Sequence, residues 1–433
     1  MNNRALPAHI AIVGGGPVAL AAATAFAQAL RGVAVTLVPT PVPEAALADR
    51  WPLALPSAHA MLARLGCPPD LLLARGVAVP RAASRFLDWS IDGAPWLVAD
   101  EPVPGAGTAA LHQLWLRAGT PIPFHALHPA SVAAEAGGVA AGAEVALHLE
   151  AARLSRALAS LARQGGVVVA AAPLLDVLRA DGEVAAVKLA DGGRVTADLF
   201  VDATGPARLL ATAAGFEEWR DSVPCDRVTI ETIACTGALL DSYRATDTGW
   251  VADWPGARVT AGPDGGVAIT PGRLAEAIRG NVLALGEAAV QPGPLGRAGF
   301  TLALAQIALA LELLPTGHDT PLLAGEYNRR AGQRADRMRD FLAAHYHGGG
   351  RRGPGAVPPS LVPILEQFRR RGSVPAADED CVERDAWIAV LLGQGLRPER
   401  ADPIALGIPP DVARRDILDR ATRLRTAYGK PRS

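Results

Sequence analysis

Apolar residues along this chain fall into short β-branched runs that alternate with longer stretches rich in alanine and leucine. The clearest alternation is IAIVGGGPVALAAATAFAQAL at 10–30, where an apolar strand from Ile10 to Val13 runs into Gly14, Gly15 and Gly16. An Ala-rich helix opened by Pro17 follows, and a second β-branched run, VAVTLV, occupies 33–38. This is the strand–turn–helix–strand order of a dinucleotide fold: Gly14 makes the tight turn, and Gly16 lets the backbone approach a pyrophosphate at the helix N-terminus. Ala19 stands in for the third glycine, which close helix–strand packing permits.

Two later segments extend the pattern. Residues 148–165 read as a helix and VVVAAA at 167–172 as a strand; a meander with turns at Asp181-Gly182 and Asp191-Gly192 then leads to Val201-Asp202-Ala203-Thr204-Gly205, a further parallel strand and its turn. Asn281 to Gly286 returns as a strand, and the Pro/Gly-rich turn from Gln291 to Gly299 starts a long apolar helix, Phe300 to Leu314, that ends at Pro315. Amides at that helix start can hold a pyrophosphate or cradle isoalloxazine carbonyls. The expected fold is α/β, with an FAD-binding Rossmann-like domain of the glutathione-reductase type (8–50, 148–215 and 278–315). It is braided with a mixed β-sheet substrate lobe (51–147 and 216–277) and followed by a helical C-terminal region (316–433). Residues 50–145 read as irregular cover, and 225–275 as strands and loops.

One part of the dinucleotide unit is missing. The second strand should end in an acid that binds a ribose hydroxyl, yet VTLV leads into Pro39, Thr40 and Pro41, and the first nearby acid is Glu44. A hydrogen bond to a charged group is worth about 1.5–3 kcal/mol, so FAD should bind roughly ten- to a hundredfold more loosely unless Thr40 or Glu44 compensates.

Composition narrows the partners. Half of the 433 residues are apolar and a fifth charged, enough for a sizeable core, and a net charge of −1 gives no footprint for nucleic acid or an anionic membrane. Cys67, Cys225, Cys235 and Cys381 form no CxxC pair, which fits reduced thiols in a cytoplasmic protein better than disulfides or a zinc site. Gly14 to Pro17 interrupt the N-terminal apolar run, which argues against a secretion signal, and Phe300–Leu314 is short of the ~20 residues of a membrane span. His125/His128 and His345/His347 lack a third ligand at a recognisable spacing, so no metal is expected.

With these segments in hand, the chain resembles the flavin-dependent tryptophan halogenases, a branch of the FAD monooxygenase-like fold. The likeness runs through GGGPVA at 14–19, RFLDWSIDG at 85–93, ALHLEAARLSRAL at 146–158, ADLFVDATG at 197–205 and GWVADWPG at 249–256. It continues through GEAAVQPGPLGRAGFTLALAQ at 286–306, DRMRDFLAAHYH at 336–347 and WIAVLLGQGLRPERADP at 387–403. The resemblance implies FAD reduced by a separate, diffusing flavin reductase, a flavin hydroperoxide that oxidises halide, and a small organic substrate. It also implies a lysine that holds the halogen, an assisting glutamate, and a W-x-W-x-I-P segment between flavin and substrate. A homodimer is the default for such enzymes. On this likeness Gly205, Gly286, Glu287, Gly296 and Gly299 join Gly14, Gly16, Pro17, Ala19 and Thr40 as candidate cofactor residues. Glu287 is a candidate for the ribityl chain or else an exposed strand-end carboxylate. Arg208 approaches the cofactor or caps a helix, and Trp89, Trp96 and Trp115 line a pocket or fill the core.

The departures matter more than the matches. The place of the family lysine holds Pro80 or Arg81, and the chain's only lysines are Lys188 and Lys430. The place of the glutamate holds Gly296, and in the separating segment Ala252 and Trp254 replace the second tryptophan and the aliphatic residue. Three readings follow: direct oxygen transfer to an aromatic or small organic substrate, loss of catalysis with flavin or partner binding retained, or halogenation with Arg81 as the positioning group. Arginine stays protonated and offers no free amine, so only hydrogen bonds to halide or an oxyanion are open to it.

Overall fold

The computed structural model describes residues 7–103, 109–212, 215–234, 239–314, 320–348 and 355–429. Pro315, Cys235 and Lys430 lie outside them. The chain divides into two units, each assembled from three segments. The first comprises Met1–Val79, Leu147–Arg220 and Val267–Asp336; the second comprises Pro80–Ala146, Asp221–Gly266 and Arg337–Ser433.

In the first unit, six strands lie in the order Ile278–Arg279, Val282–Ala284, Leu199–Asp202, His9–Val13, Ala34–Val38, Val168–Val169. All neighbours are parallel except the first pair. Ile10, Ala11, Ile12 and Val13 are fully buried, as a central strand covered on both faces must be. The helix Pro17–Ala29 follows Gly16, and residues Pro17 to Phe26 are all buried, so its apolarity is spent on packing all round. Proline at its first position gives up only an N–H that has no partner within the helix.

Helix Ala151–Gln164 is capped by Glu150, whose carboxylate accepts from the Ala152 and Arg153 amides. Strands Leu174–Ala180 and Glu183–Leu189 form the expected hairpin, with Asp181 and Gly182 both at positive φ in its two-residue turn. The strand expected at 167–172 shrinks to Val168–Val169 at the sheet edge, where both side chains are exposed. The Gly299–Glu312 helix is largely buried. The stretch Leu295–Glu312 is long and apolar enough to cross a membrane, but 72% of it is buried inside the fold, which marks a core helix.

In the second unit, six strands lie side by side in the order Arg227–Thr232, Ala257–Gly262, Trp250–Trp254, Leu240–Ala245, Ala83–Leu87, Trp96–Ala99. The Leu240–Ala245/Ala83–Leu87 pair is parallel and the others antiparallel. Phe86 stacks on Trp96 and Tyr243 with ring centroids 4.2 and 5.1 Å apart, and Trp89, Trp250 and His345 pack around them. Helices Leu111–Ala118 and Pro129–Glu135 and the strands at 83–99 give regular structure to much of the stretch expected to be irregular cover. The elements are short and punctuated by Pro and Gly, so no hydrophobic period persists long enough to read.

One side chain ties the end of a central strand to its turn. The fully buried Asp202 carboxylate accepts from the Thr204 amide (3.0 Å) and hydroxyl (2.6 Å) and from the Leu210 and Ala211 amides (2.8 and 2.7 Å). Asp202→Ala would strand these donors and should cost about 3 kcal/mol or more, read as a lowered urea midpoint. An unchanged midpoint would show that the turn holds without it.

Candidate functional site

The residues expected to hold a dinucleotide do converge in the first unit, but around a piece of the chain itself. Gly14, Gly15, Gly16, Gly205 and Gly299 each lie against a neighbour that a Cβ in their place would meet. At Gly14 that atom would sit 2.5 Å from the Ala203 carbonyl oxygen and 2.8 Å from the Ala19 Cβ, so the turn at Gly14 admits the close approach of the helix at Ala19 and of a neighbouring strand end. At Gly15 it would meet the Thr40 carbonyl at 2.0 Å, and at Gly16 the Asp49 carboxylate at 2.3 Å. At Gly205 it would lie 3.0 Å from Ala46 Cβ, and at Gly299 3.1 Å from Ala48 Cβ. Three glycines from three separated parts of the sequence thus face the segment Ala46–Asp49, most of which belongs to the short helix Leu47–Arg50.

Hydrogen bonds hold that segment in place. The Val18 amide, the first that the Pro17–Ala29 helix can offer after proline, donates to Asp49 Oδ1 at 2.8 Å, and the Ala48 amide donates to Glu287 Oε2 at 3.0 Å. Asp49 and Glu287 are 5% and 2% exposed. Burial pushes the Asp49 carboxyl up to about 7 against the lowering effect of the Val18 amide. Burial likewise pushes Glu287 up to about 8, with the nearby Asp49 adding to the rise and the Ala48 amide and Arg208 opposing it. Glu287 is therefore no exposed strand-end carboxylate.

A dinucleotide needs the amides at this helix start and a volume free of negative charge for its diphosphate. Here the Val18 amide is spent, the space beside Gly16 holds a carboxylate, and a second buried acid stands next to it. The residues present do not fit the pyrophosphate of FAD in this arrangement.

The other candidates sit as follows. Thr40 is buried, and its hydroxyl has no hydrogen-bond partner; Glu44 is exposed. Gly286 has a positive φ, and its amide donates to Gln306 Oε1 at 2.7 Å. Gly296 is also at positive φ, and its neighbour Arg297 is buried, donating to the Trp51 carbonyl and bonding His148 Nδ1. Arg208 bonds the Pro206 and Ala288 carbonyls and lies 4.1 Å over the Phe216 ring. Asp49 escaped the sequence reading because an acid was sought at the end of the second strand. Its signal is an acid closing the small apolar run Ala45–Ala48, which Glu44 opens and Arg50 follows.

In the second unit, Arg81 is 2% exposed, and its guanidinium is spent on two carboxylates. Nε and Nη2 donate to Asp100 at 3.1 and 2.7 Å, and Nη1 to Asp241 at 3.2 Å. Of the three tryptophans, Trp89 and Trp96 belong to the aromatic core. Trp96 also joins Trp115 in lining a cavity of about 570 Å³. Among the described residues, no cluster of His, Cys, Asp and Glu could hold a metal ion.

A braided dinucleotide-type α/β unit and a second unit built on a largely antiparallel sheet define the architecture of flavin-dependent halogenases. The tryptophan halogenase family model matches residues 9–255 and 251–410, and the chain belongs to that family. The tryptophan 6-halogenase SttH of Streptomyces toxytricini is 24% identical over 332 residues; the match spans 64% of this chain and 63% of that relative. The flavin-dependent halogenase BrvH from Brevundimonas sp. BAL3 superposes with a TM-score of 0.87 at 23% identity, covering 98% of this chain and 97% of that one. Xcc4156, a flavin-dependent halogenase from Xanthomonas campestris, gives 0.87 at 24% identity, covering 98% and 96%. Such relatives imply a flavin of the FAD type, which makes the misfit at Gly16 a property to explain.

The two buried acids carry a pH signature. Their folded values lie above the ordinary carboxylate range, so the folded state holds protons that the unfolded state releases. The stability they contribute is full below about pH 4 and is lost as pH rises towards about 8. Urea midpoints should fall across that window, with a shallower fall in Asp49→Asn and Glu287→Gln; equal slopes in all three proteins would count against the buried pair.

Proposed function

We propose that this chain is a member of the tryptophan halogenase family that does not halogenate and instead binds a small, flat organic molecule. The observation that carries the loss of halogenation is Arg81. The place expected of the family lysine falls on Pro80 or Arg81, and the donors of Arg81, the one charged candidate, are committed to Asp100 and Asp241 and sealed from solvent. A guanidinium in that position has no amine to offer and no free face for halide. Lys188 lies on a hairpin strand of the first unit and supplies no substitute. Gly296, at the expected place of the glutamate, carries no acid.

Retention of binding is supported by the cavity of about 570 Å³ in the second unit, a size suited to small organic ligands. Trp96, Trp115 and Phe124 give it aromatic walls, and Arg397 lies 5.5 Å from the Trp115 ring centroid. His125, also in the lining, is pushed down to about 4 by burial first and Arg85 second, so it presents a neutral imidazole. This combination suits a planar ring bearing an anionic group that Arg397 can meet. Direct oxygen transfer from a flavin ranks behind this reading because it needs the cradle that Ala46–Asp49 fill.

Turnover with a reductase-fed supply of reduced FAD, oxygen, chloride or bromide and a panel of indoles and phenols should give no halogenated or oxygenated product above the protein-free control. Titration with indole-3-carboxylate should change tryptophan fluorescence saturably, with roughly tenfold weaker binding in Trp115→Ala. Arg81→Met should lower stability by about 3–5 kcal/mol, the cost of stranding buried carboxylates. A halide-dependent product that vanishes in Arg81→Lys would overturn the proposal.

A further inference from the structure

We propose that the Ala46–Arg50 segment, through the Asp49 carboxylate, is the resident occupant of the pyrophosphate place at the Gly-rich loop, and that it alone shuts this fold to dinucleotides. This goes beyond the loss of halogenation, which rests on Arg81 and would stand without it.

Three features of the site agree. The first is donor arithmetic. Pro17 has no N–H, and the next amide of the helix, Val18, already donates to Asp49 at 2.8 Å. A carboxylate oxygen in that position takes the place that a phosphate oxygen takes at a helix start. The second is space. The segment fills what the glycines leave open: Ala46 against Gly205, Ala48 against Gly299, and Asp49 against Gly16. Leu47, Ala48 and Asp49 are all buried, so this is packed structure rather than a loop resting on the surface. The third is charge. Asp49 lies close enough to Glu287 to raise its proton affinity, and ionising either acid beside a diphosphate would crowd like charges into the same volume.

Polar groups around the segment are left incompletely paired. The Thr40 hydroxyl, Glu287 Oε1 and Arg208 Nη2 are buried without hydrogen-bond partners. Buried polar atoms of this kind are few in folded proteins. An internal segment satisfies the Val18 amide and one oxygen of Glu287, and leaves these three atoms without a partner.

The test is isothermal titration calorimetry of the full chain with FAD, ADP and riboflavin. Circular dichroism melts confirm that each variant is folded. Wild type should show no saturable FAD binding up to several hundred micromolar. Asp49→Gly, which removes both the carboxylate and the side chain beside Gly16, should gain at least tenfold in affinity for FAD and for ADP, and nothing for riboflavin, which has no phosphate. Asp49→Asn keeps the acceptor and loses the charge, and should fall between the two. Three results would overturn the proposal: low-micromolar FAD binding by wild type, an equal gain for riboflavin, or folded Asp49 variants that still bind neither FAD nor ADP.

Discussion

The proposed self-occupied cradle depends on one interaction, the hydrogen bond from the Val18 amide to the Asp49 carboxyl. A helix start in a dinucleotide fold offers unpaired amides and a partial positive charge, and whichever anion reaches them first sets the ligand. Here the acceptor, the Asp49 carboxyl, is covalently part of the protein, so it is present at high effective concentration and needs no binding event. The rest of the first unit accommodates it. Alanines at 46 and 48 are small enough to lie against Gly205 and Gly299, and Glu287 takes the Ala48 amide. The same residues that would make room for a cofactor make room for the chain.

The two units handle buried charge in opposite ways. In the second, Arg81 is matched by two carboxylates with bidentate geometry towards Asp100, an arrangement that satisfies its donors and leaves nothing for a substrate. Such a triad costs desolvation and returns geometric definition more than stability. In the first unit, two acids are buried together with Arg208 as the cation that lowers the Glu287 value, and both are pushed towards neutral forms. One unit gathers its buried charges into an ion cluster around Arg81. The other keeps two buried acids beside the Gly-rich loop, with Arg208 only partly offsetting the effect of burial on Glu287.

The strand–turn–helix at 10–30, the hairpin with its Asp181-Gly182 turn and the core helix after Gly299 were legible because each joins a strong period to a turn residue with a definite backbone demand. The placement of Gly14 against Ala19 was legible for the same reason. The occupant of the cradle was not. Asp49 acts on the Val18 amide 31 positions earlier and its neighbour Ala48 bonds Glu287 239 positions later, and no local pattern separates a carboxyl that meets a distant helix start from one that points to solvent. Arg81 was readable as a residue type at a suggestive position, but its two partners come from a neighbouring strand end and from Asp241, 160 residues later. Glu287 was readable as an acid near the cradle, whereas its burial follows from a segment that the sequence does not mark.

The most direct test of a self-occupied cradle is amide hydrogen exchange at Val18 and Ala48 in the full chain, with and without millimolar FAD. A cradle held by Asp49 and Glu287 predicts that both amides are strongly protected in the free protein and that FAD leaves their rates unchanged. Fast exchange in the free protein, with protection appearing only when FAD is added, would contradict it and place the flavin where Asp49 now lies.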